Sequence, residues 1–173
     1  MTDRITRVGI GYDVHAFAAP EVGRPLVVGG VVIPHEQGLA GHSDADVLLH
    51  AVVDALLGAA ALGDIGAHFP SSEPRWKDAS SSIFLSHTLA LLREAGWRVV
   101  NVDATVVAQQ PRLAPHVPEI RAKVAELMGL GLDAVSVKGK TTDGLGFAGR
   151  GEGMACYAVA LIARELAADA APE

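Results

Sequence analysis

A chain of 173 residues, half of them hydrophobic, is long enough for one domain with one core and too apolar to be disordered. A net charge of −6 argues against a broad nucleic-acid surface, while leaving room for a local basic pocket. The single cysteine, Cys156, excludes an intrachain disulfide, fits a reducing compartment and reads as a small core residue.

The N-terminus lacks the basic-then-apolar layout of a signal peptide, and no charge-free apolar run reaches the roughly 18 residues of a membrane span. A soluble, cytoplasmic, stand-alone single domain over residues 1–173 is therefore expected, with no membrane or nucleic-acid partner. In chain order, "TRVGIGYDV" reads as a strand, and "RPLVVGGVVI" as a second, near-continuous apolar strand bent at Gly29-Gly30. "HSDADVLLHAVVDALLGAAAL" predicts a buried helix of about 18 residues capped by Ser43 or Asp44. "GDIGAHFPSSEPRWKDASSS" is loop by its Gly, Pro and Ser content. A second helix is expected near 80–95, ending at Gly96, followed by a strand in "WRVVNVDATVVAQ" and a helix in "PEIRAKVAELMG" closed by Gly129. "AVSVKGKT" reads as a strand and "DGLGFAGRGEG" as a glycine loop. "MACYAVALIARE" is apolar at odd and even positions alike, so periodicity leaves strand and helix both open. The order predicts an α+β fold of two layers, a mixed sheet with helices packed on one face.

In a strand, residues i and i+2 share a face, so Asp13 and His15 in "GYDVHAF" project together. Asp46, His50 and Asp54 recur every four residues and form one polar stripe along an otherwise apolar helix. Burying such groups without partners costs several kcal/mol, so the stripe needs something to face. Asp13, His15 and His50 make a mixed oxygen and nitrogen set suited to catalytic zinc, with Asp54 or Asp46 available to hold the second ring nitrogen of His50. Each feature alone has a plainer reading: an Asp-x-His surface pair, or a core histidine. Together the two polar intrusions account for one another.

Two further stretches favour phosphate. "GLAGHSD" sets His42 and Ser43 before a helix N-terminus, where free N–H groups and the helix dipole favour an anion; alternatively Ser43 is only a cap. "KTTDGLGFAGRGEG" gathers Thr141, Thr142, Asp143 and Arg150 among glycines, a set of donors for phosphate oxygens. The competing reading is a plain turn with an Arg150–Glu152 pair. The Gly-Lys-Ser/Thr order of a P-loop is absent.

The runs "GYDVHAF", "GHSDADVLLHAVVDALLGAAALGDIGAHFP", "AQQPRLAPH" and "TTDGLGFAGRGEG", in this order across 7–165, resemble the 2-C-methyl-D-erythritol 2,4-cyclodiphosphate synthase family, cyclases of the non-mevalonate isoprenoid pathway. The resemblance implies conversion of 4-diphosphocytidyl-2-C-methyl-D-erythritol 2-phosphate to the cyclic diphosphate with release of CMP. The substrate's 2-phosphate attacks its own β-phosphorus. It implies zinc on Asp13, His15 and His50, and a second divalent ion, magnesium or manganese, held by Asp143. His42 and Thr141 match positions that steady the transition state. Ser43, Asp64, Ile65, Gly66, Phe69, Pro70, Ser71, Ser72 and Glu73 match contacts to the methylerythritol phosphate. Ala108, Arg112, Leu113 and Ala114, with Lys140 and Thr142, match segments that hold cytidine diphosphate; Phe147 and Arg150 match further substrate contacts. The implied assembly is a homotrimer resembling the trimeric bacterial chorismate mutases, with active sites between subunits. Its threefold cavity can take an isoprenoid diphosphate, with Arg150 and Glu152 near the mouth.

The chemistry fits this picture, because joining a phosphate to a diphosphate within one molecule needs cations and alignment rather than a protein nucleophile. Four positions depart from the family pattern: Ser71 stands for an acid, Asp143 for Glu, Arg112 for Lys and Lys140 for Thr. None removes a zinc ligand. Two other functions use the same features. One is a zinc phosphohydrolase with metal-bound water as nucleophile; the other is a non-catalytic isoprenoid-diphosphate binder.

Overall fold

The computed structural model describes residues 4–165. Strand β1 (Arg4–Ala16) leads into a small hairpin, β2 (Leu26–Val28) and β3 (Val31–Ile33). Helix α1 (Val47–Ala60), the short α2 (Ile65–His68) and α3 (Ser81–Glu94) follow, then β4 (Arg98–Val107), α4 (Val117–Met128), β5 (Val135–Lys140), the short α5 (Gly146–Gly149) and β6 (Gly153–Glu165). The main sheet has the order β1-β6-β4-β5; β4 and β5 run parallel and the other pairs antiparallel, so it is mixed as expected.

The expected single strand at 24–33 is instead the β2–β3 hairpin, which forms its own two-stranded sheet. Gly29 and Gly30 both adopt positive φ, at 63° and 77°. Two such residues make a tight reversal, not a bend, because the turn then matches the right-handed twist of its strands. The ambiguous segment after the glycine loop is strand β6. It lies between β1 and β4, so both of its edges are hydrogen-bonded; Met154, Cys156, Ala158, Ala160 and Ile162 are buried on one face, while Tyr157 and Val159 are exposed on the other.

α1 begins later than predicted. Its N-cap is Asp46, not Ser43 or Asp44, and the helix has 14 residues. The Asp46 carboxylate accepts from the N–H groups of Leu48 and Leu49, which the first turn leaves without partners. The preceding Ala45 has φ 57°, which breaks any helical path from Ser43. α1 is buried nearly all round and packs on β1 and β6, with α3 alongside. The contact with β1 is close because that strand turns Gly9 and Gly11 to the helix.

β1 alternates cleanly. Gly9, Gly11, Asp13 and His15 face α1, while Val8, Ile10, Tyr12 and Val14 face outward and are exposed, Ile10 at 71%. On β6 the exposed Tyr157 and Val159 extend this outer apolar face, and the Tyr157 ring lies 4.8 Å from that of Tyr12. Helices thus cover one side of the sheet, and an apolar stripe is left on the other. No helix among the described residues is long and apolar enough to cross a membrane.

Candidate active site

Three donor groups meet where β1 passes the first turn of α1. The His15 Nε2 lies 2.9 Å from Asp13 Oδ2, His50 Nδ1 lies 3.1 Å from the same oxygen, and the two ring nitrogens are 3.2 Å apart. Strand alternation sends Asp13 and His15 to one face, and the helix presents His50 against them. A tetrahedral zinc site with bonds of about 2.0–2.1 Å has donor–donor edges of about 3.3 Å, close to these spacings. The proton positions agree. His15 Nδ1 donates to the Ala40 carbonyl at 2.8 Å, so a neutral ring turns a bare Nε2 toward a carboxylate oxygen. Two lone pairs at that distance repel unless a proton or a metal cation lies between them.

The electrostatics of the metal-free centre follow from the same contacts. Burial pushes the Asp13 carboxyl up, but hydrogen bonds from His15 and His50 and their charges outweigh it and hold Asp13 well below the usual carboxylate range. For His15, burial lowers the pKa, yet the hydrogen bond to Asp13 and its charge prevail and the net shift is upward. An ionised carboxylate beside two imidazoles that each turn a ring nitrogen to it is a donor set for a cation, which competes with protons for those nitrogens.

His50 Nε2 on the far side of its ring contacts Ser81 Oγ at 2.8 Å and Ser43 Oγ at 3.2 Å. The expectation that Asp46 or Asp54 would take this nitrogen is not met. Asp46 is committed to four backbone N–H groups, those of Gly29, Gly30, Leu48 and Leu49. Asp54 accepts from Ile65 N at 2.7 Å, which ties the start of α2 to α1. Each finds donors nearer than the imidazole, because α1 turns the two acids toward the β2–β3 turn and toward α2. Sequence reasoning missed Ser81 altogether. It lies in the serine run "ASSS", whose composition reads as loop and helix cap, and nothing in its spacing points at a histidine 31 residues away.

A cavity of about 250 Å³ opens beside the triad, lined by His15, His42, Ser43, His50, Ile65, Gly66, Phe69 and Ser71, with Trp76 and Phe84 at its apolar wall. Most of the residues matched to the methylerythritol phosphate thus gather here. Asp64 caps α2 through Ala67 N, and Glu73 pairs with Arg75 on the surface. Pro70 and Ser72 lie in the same loop, Ser72 exposed. Arg24, which the sequence did not single out, donates to the carbonyls of Gly41 and Ser43 and so clasps the backbone on both sides of His42.

A second cavity, of about 460 Å³, forms where the parallel strands β4 and β5 end together. Ala108, Arg112, Leu113, Ala114, Lys140 and Thr141 line it, as do Gln109, Gln110 and Gly139. Gln109 Oε1 is buried there without a hydrogen-bond partner among the described residues. Thr142 and Phe147 instead line a third, apolar cavity of about 300 Å³ with Tyr12 and Tyr157. Asp143 is exposed at φ 53°, with its carboxylate 3.3 Å from the Thr141 hydroxyl. Arg150 is exposed and paired with Glu152 at 2.7 Å. Within one chain, then, the triad and the Lys140–Thr141 segment line different cavities.

Comparison with known proteins places this arrangement. The YgbB family model matches residues 6–163. A 2-C-methyl-D-erythritol 2,4-cyclodiphosphate synthase of Syntrophomonas wolfei is 60% identical over 156 residues, covering 90% of this chain and 98% of that protein. The bifunctional IspDF of Campylobacter jejuni superposes with a TM-score of 0.88 at 38% identity over 94% of this chain, which spans 43% of that longer protein. IspF of Plasmodium falciparum, solved as a CDP complex, superposes with a TM-score of 0.80 at 32% identity, covering 93% of this chain and 97% of that one. The chain therefore belongs to the YgbB family, whose close relatives here are the 2-C-methyl-D-erythritol 2,4-cyclodiphosphate synthases.

Proposed function

We infer that this chain converts 4-diphosphocytidyl-2-C-methyl-D-erythritol 2-phosphate to 2-C-methyl-D-erythritol 2,4-cyclodiphosphate and CMP. The reading is carried by the convergence of Asp13, His15 and His50 within 3.2 Å of one another at the wall of an open cavity. These residues would hold zinc, which supplies positive charge to a phosphate oxygen at the attacked phosphorus. Asp143 would hold a second divalent ion, magnesium or manganese. The chain's own residues bring the substrate's 2-phosphate and β-phosphate together and hold them in line, which converts the attack into an intramolecular one. His42 and Ser43, on the backbone clasped by Arg24, offer donors to the phosphates. Phe69, Trp76 and Phe84 exclude water from the reacting end, which disfavours simple hydrolysis.

The cavity at Ala108–Ala114 and Lys140–Thr141 would take the cytidine diphosphate, with the Lys140 and Arg112 cations over the diphosphate. Because it and the triad line different cavities of one chain, a complete site would join the triad of one copy to the nucleotide cavity of a neighbour. The exposed Val8, Ile10, Tyr12 and Tyr157 supply an apolar face for that association. We propose a homotrimer with these faces around the axis and the helices outside, as in the trimeric chorismate mutases. An isoprenoid diphosphate would fit between them, its tail against the Tyr12–Phe147 cavity and its diphosphate near Arg150. A single domain over 1–173 and a cytoplasmic location complete the reading.

Incubation with the cytidyl substrate and Mg²⁺, followed by phosphorus NMR, tests it. A cyclic diphosphate with stoichiometric CMP is expected, and a zinc chelator or His50→Ala should abolish both. Inorganic phosphate as the product would favour a zinc phosphohydrolase instead. Tight isoprenoid-diphosphate binding without CMP would favour a binding protein.

A further inference from the structure

The far side of His50 is held by a chain of two groups that no part of the reaction requires. Ser81 Oγ, fully buried at the first residue of α3, lies 2.8 Å from His50 Nε2. The same hydroxyl donates to Asp44 Oδ1 in a short hydrogen bond, and the Ser81 N–H donates to Asp44 Oδ2 at 3.0 Å. A hydroxyl has one proton. The carboxylate accepts only, so the Ser81 proton goes to Asp44 and the Ser81 oxygen is left to accept. His50 Nε2 must then carry a proton toward Ser81, and in the neutral ring that a metal ion requires His50 Nδ1 is bare on the side of Asp13 and His15. Ser43 Oγ, already an acceptor for Ala45 N at 3.2 Å, is a second and longer partner for the same Nε2.

We propose that Asp44 and Ser81 act as positioning residues for the metal centre: the Asp44–Ser81–His50 relay fixes the His50 tautomer whose Nδ1 binds the ion. The inference rests on the zinc site of the proposed function and extends it to two residues outside the ligand set. The fold makes the relay rigid. Asp44 N donates to Ala79 O at 3.0 Å and Asp78 N donates to His42 O at 2.8 Å, so the loop before α1 and the approach to α3 are pinned together. The relay is therefore held from both of its ends, and the imidazole cannot turn without breaking a buried contact. A carboxylate acting through a hydroxyl also makes the ring a better donor, since it stabilises the charge the imidazole yields to a cation.

The test uses Ser81→Ala, which keeps the Asp44 carboxylate available to the backbone N–H of residue 81 and so spares the start of α3. In zinc-loaded wild-type protein with ¹⁵N-labelled histidine, His50 should show a protonated Nε2 whose proton exchanges slowly with water. In Ser81→Ala that exchange should accelerate, and zinc affinity, read by competition with a chromophoric chelator, should fall about 10–100-fold. Asp44→Ala should lower affinity as well, and the double variant should be no weaker than Ser81→Ala alone, because Asp44 acts through the serine. Wild-type affinity in Ser81→Ala, a bare Nε2 in the wild type, or additive losses would each overturn the relay while leaving the zinc site standing. Failure of the wild-type protein to bind zinc would overturn the relay and the metal reading together.

Discussion

Gly11 and Ala51 meet backbone to backbone: a Cβ on Gly11 would fall 1.9 Å from the Ala51 carbonyl oxygen and 2.7 Å from the Ala55 nitrogen. No rotamer can relieve such a clash, because both partners are main chain in a strand and a buried helix. Gly11→Ala is expected to force β1 off α1, costing about 3 kcal/mol. Chemical denaturation should show the loss, and zinc affinity should fall with it because Asp13 lies two residues further along the same strand.

Asp46→Asn should also destabilise the fold without touching a ligand. The carboxylate accepts from four backbone N–H groups and joins the β2–β3 turn to the start of α1. An amide has a single acceptor oxygen, so at least one of these buried donors loses its partner. A cost of about 2–3 kcal/mol follows, visible as a lower denaturation midpoint with an unchanged slope.

The pH dependence of stability should reverse when zinc is removed. In the metal-free protein the folded-state pKa of His15 is raised above its ordinary 6.5. The stabilisation from its charged form is then complete below that ordinary value and lost as pH rises through the folded pKa. Chelator-treated protein should thus lose Tm on the alkaline side of 6.5, relative to His15→Gln. With zinc bound, protons compete with the ion, so Tm should instead rise over the same range.

Cys156 should be silent. Its thiol is fully buried in β6, and burial together with the carboxylates of Asp46 and Asp13 pushes its pKa above the range of ordinary thiols. At pH 8 it stays S–H and out of reach of solvent. Native protein should show no reaction with a thiol reagent over hours, and one full equivalent after denaturation.

The outer face of β1 can be tested apart from the metal. Ile10→Asp places a charge in the exposed stripe formed by Val8, Tyr12 and Val14 and removes no buried contact. Size-exclusion chromatography with light scattering should show smaller assemblies than the wild type. Turnover should fall while zinc content stays at one per chain, if complete sites need two copies.

The triad was legible because its members violate their surroundings. An Asp and a His at strand spacing, and a His on an apolar helix, are intrusions that burial makes costly, and each has one economical explanation in the other. The alternation of β1, the extent of α3 and the end of α4 were legible for similar local reasons: period-2 patterning, a helical run stopped by Gly96, and Gly129 in the left-handed region. What escaped was set by contacts between distant segments. The true start of α1 depends on Asp46 reaching Gly29 and Gly30, and the partner of His50 comes from a serine 31 residues onward. β6 became a strand because β1 and β4 flank it, a fact no window of its own residues contains.

The two-sidedness of β1 leaves it without tolerance for single-residue length changes. Deleting Tyr12 while Gly9 and Gly11 keep their places against α1 would exchange the two sets of side chains beyond it. Val14 would be turned toward α1, and Asp13 and His15 would be turned out among the apolar residues of the exposed face. Ion loading and self-association would vanish in one step, although neither depends chemically on the other. Among relatives, insertions should therefore gather at the β2–β3 turn or beyond Ala18, and the spacing from Gly9 to His15 should be invariant.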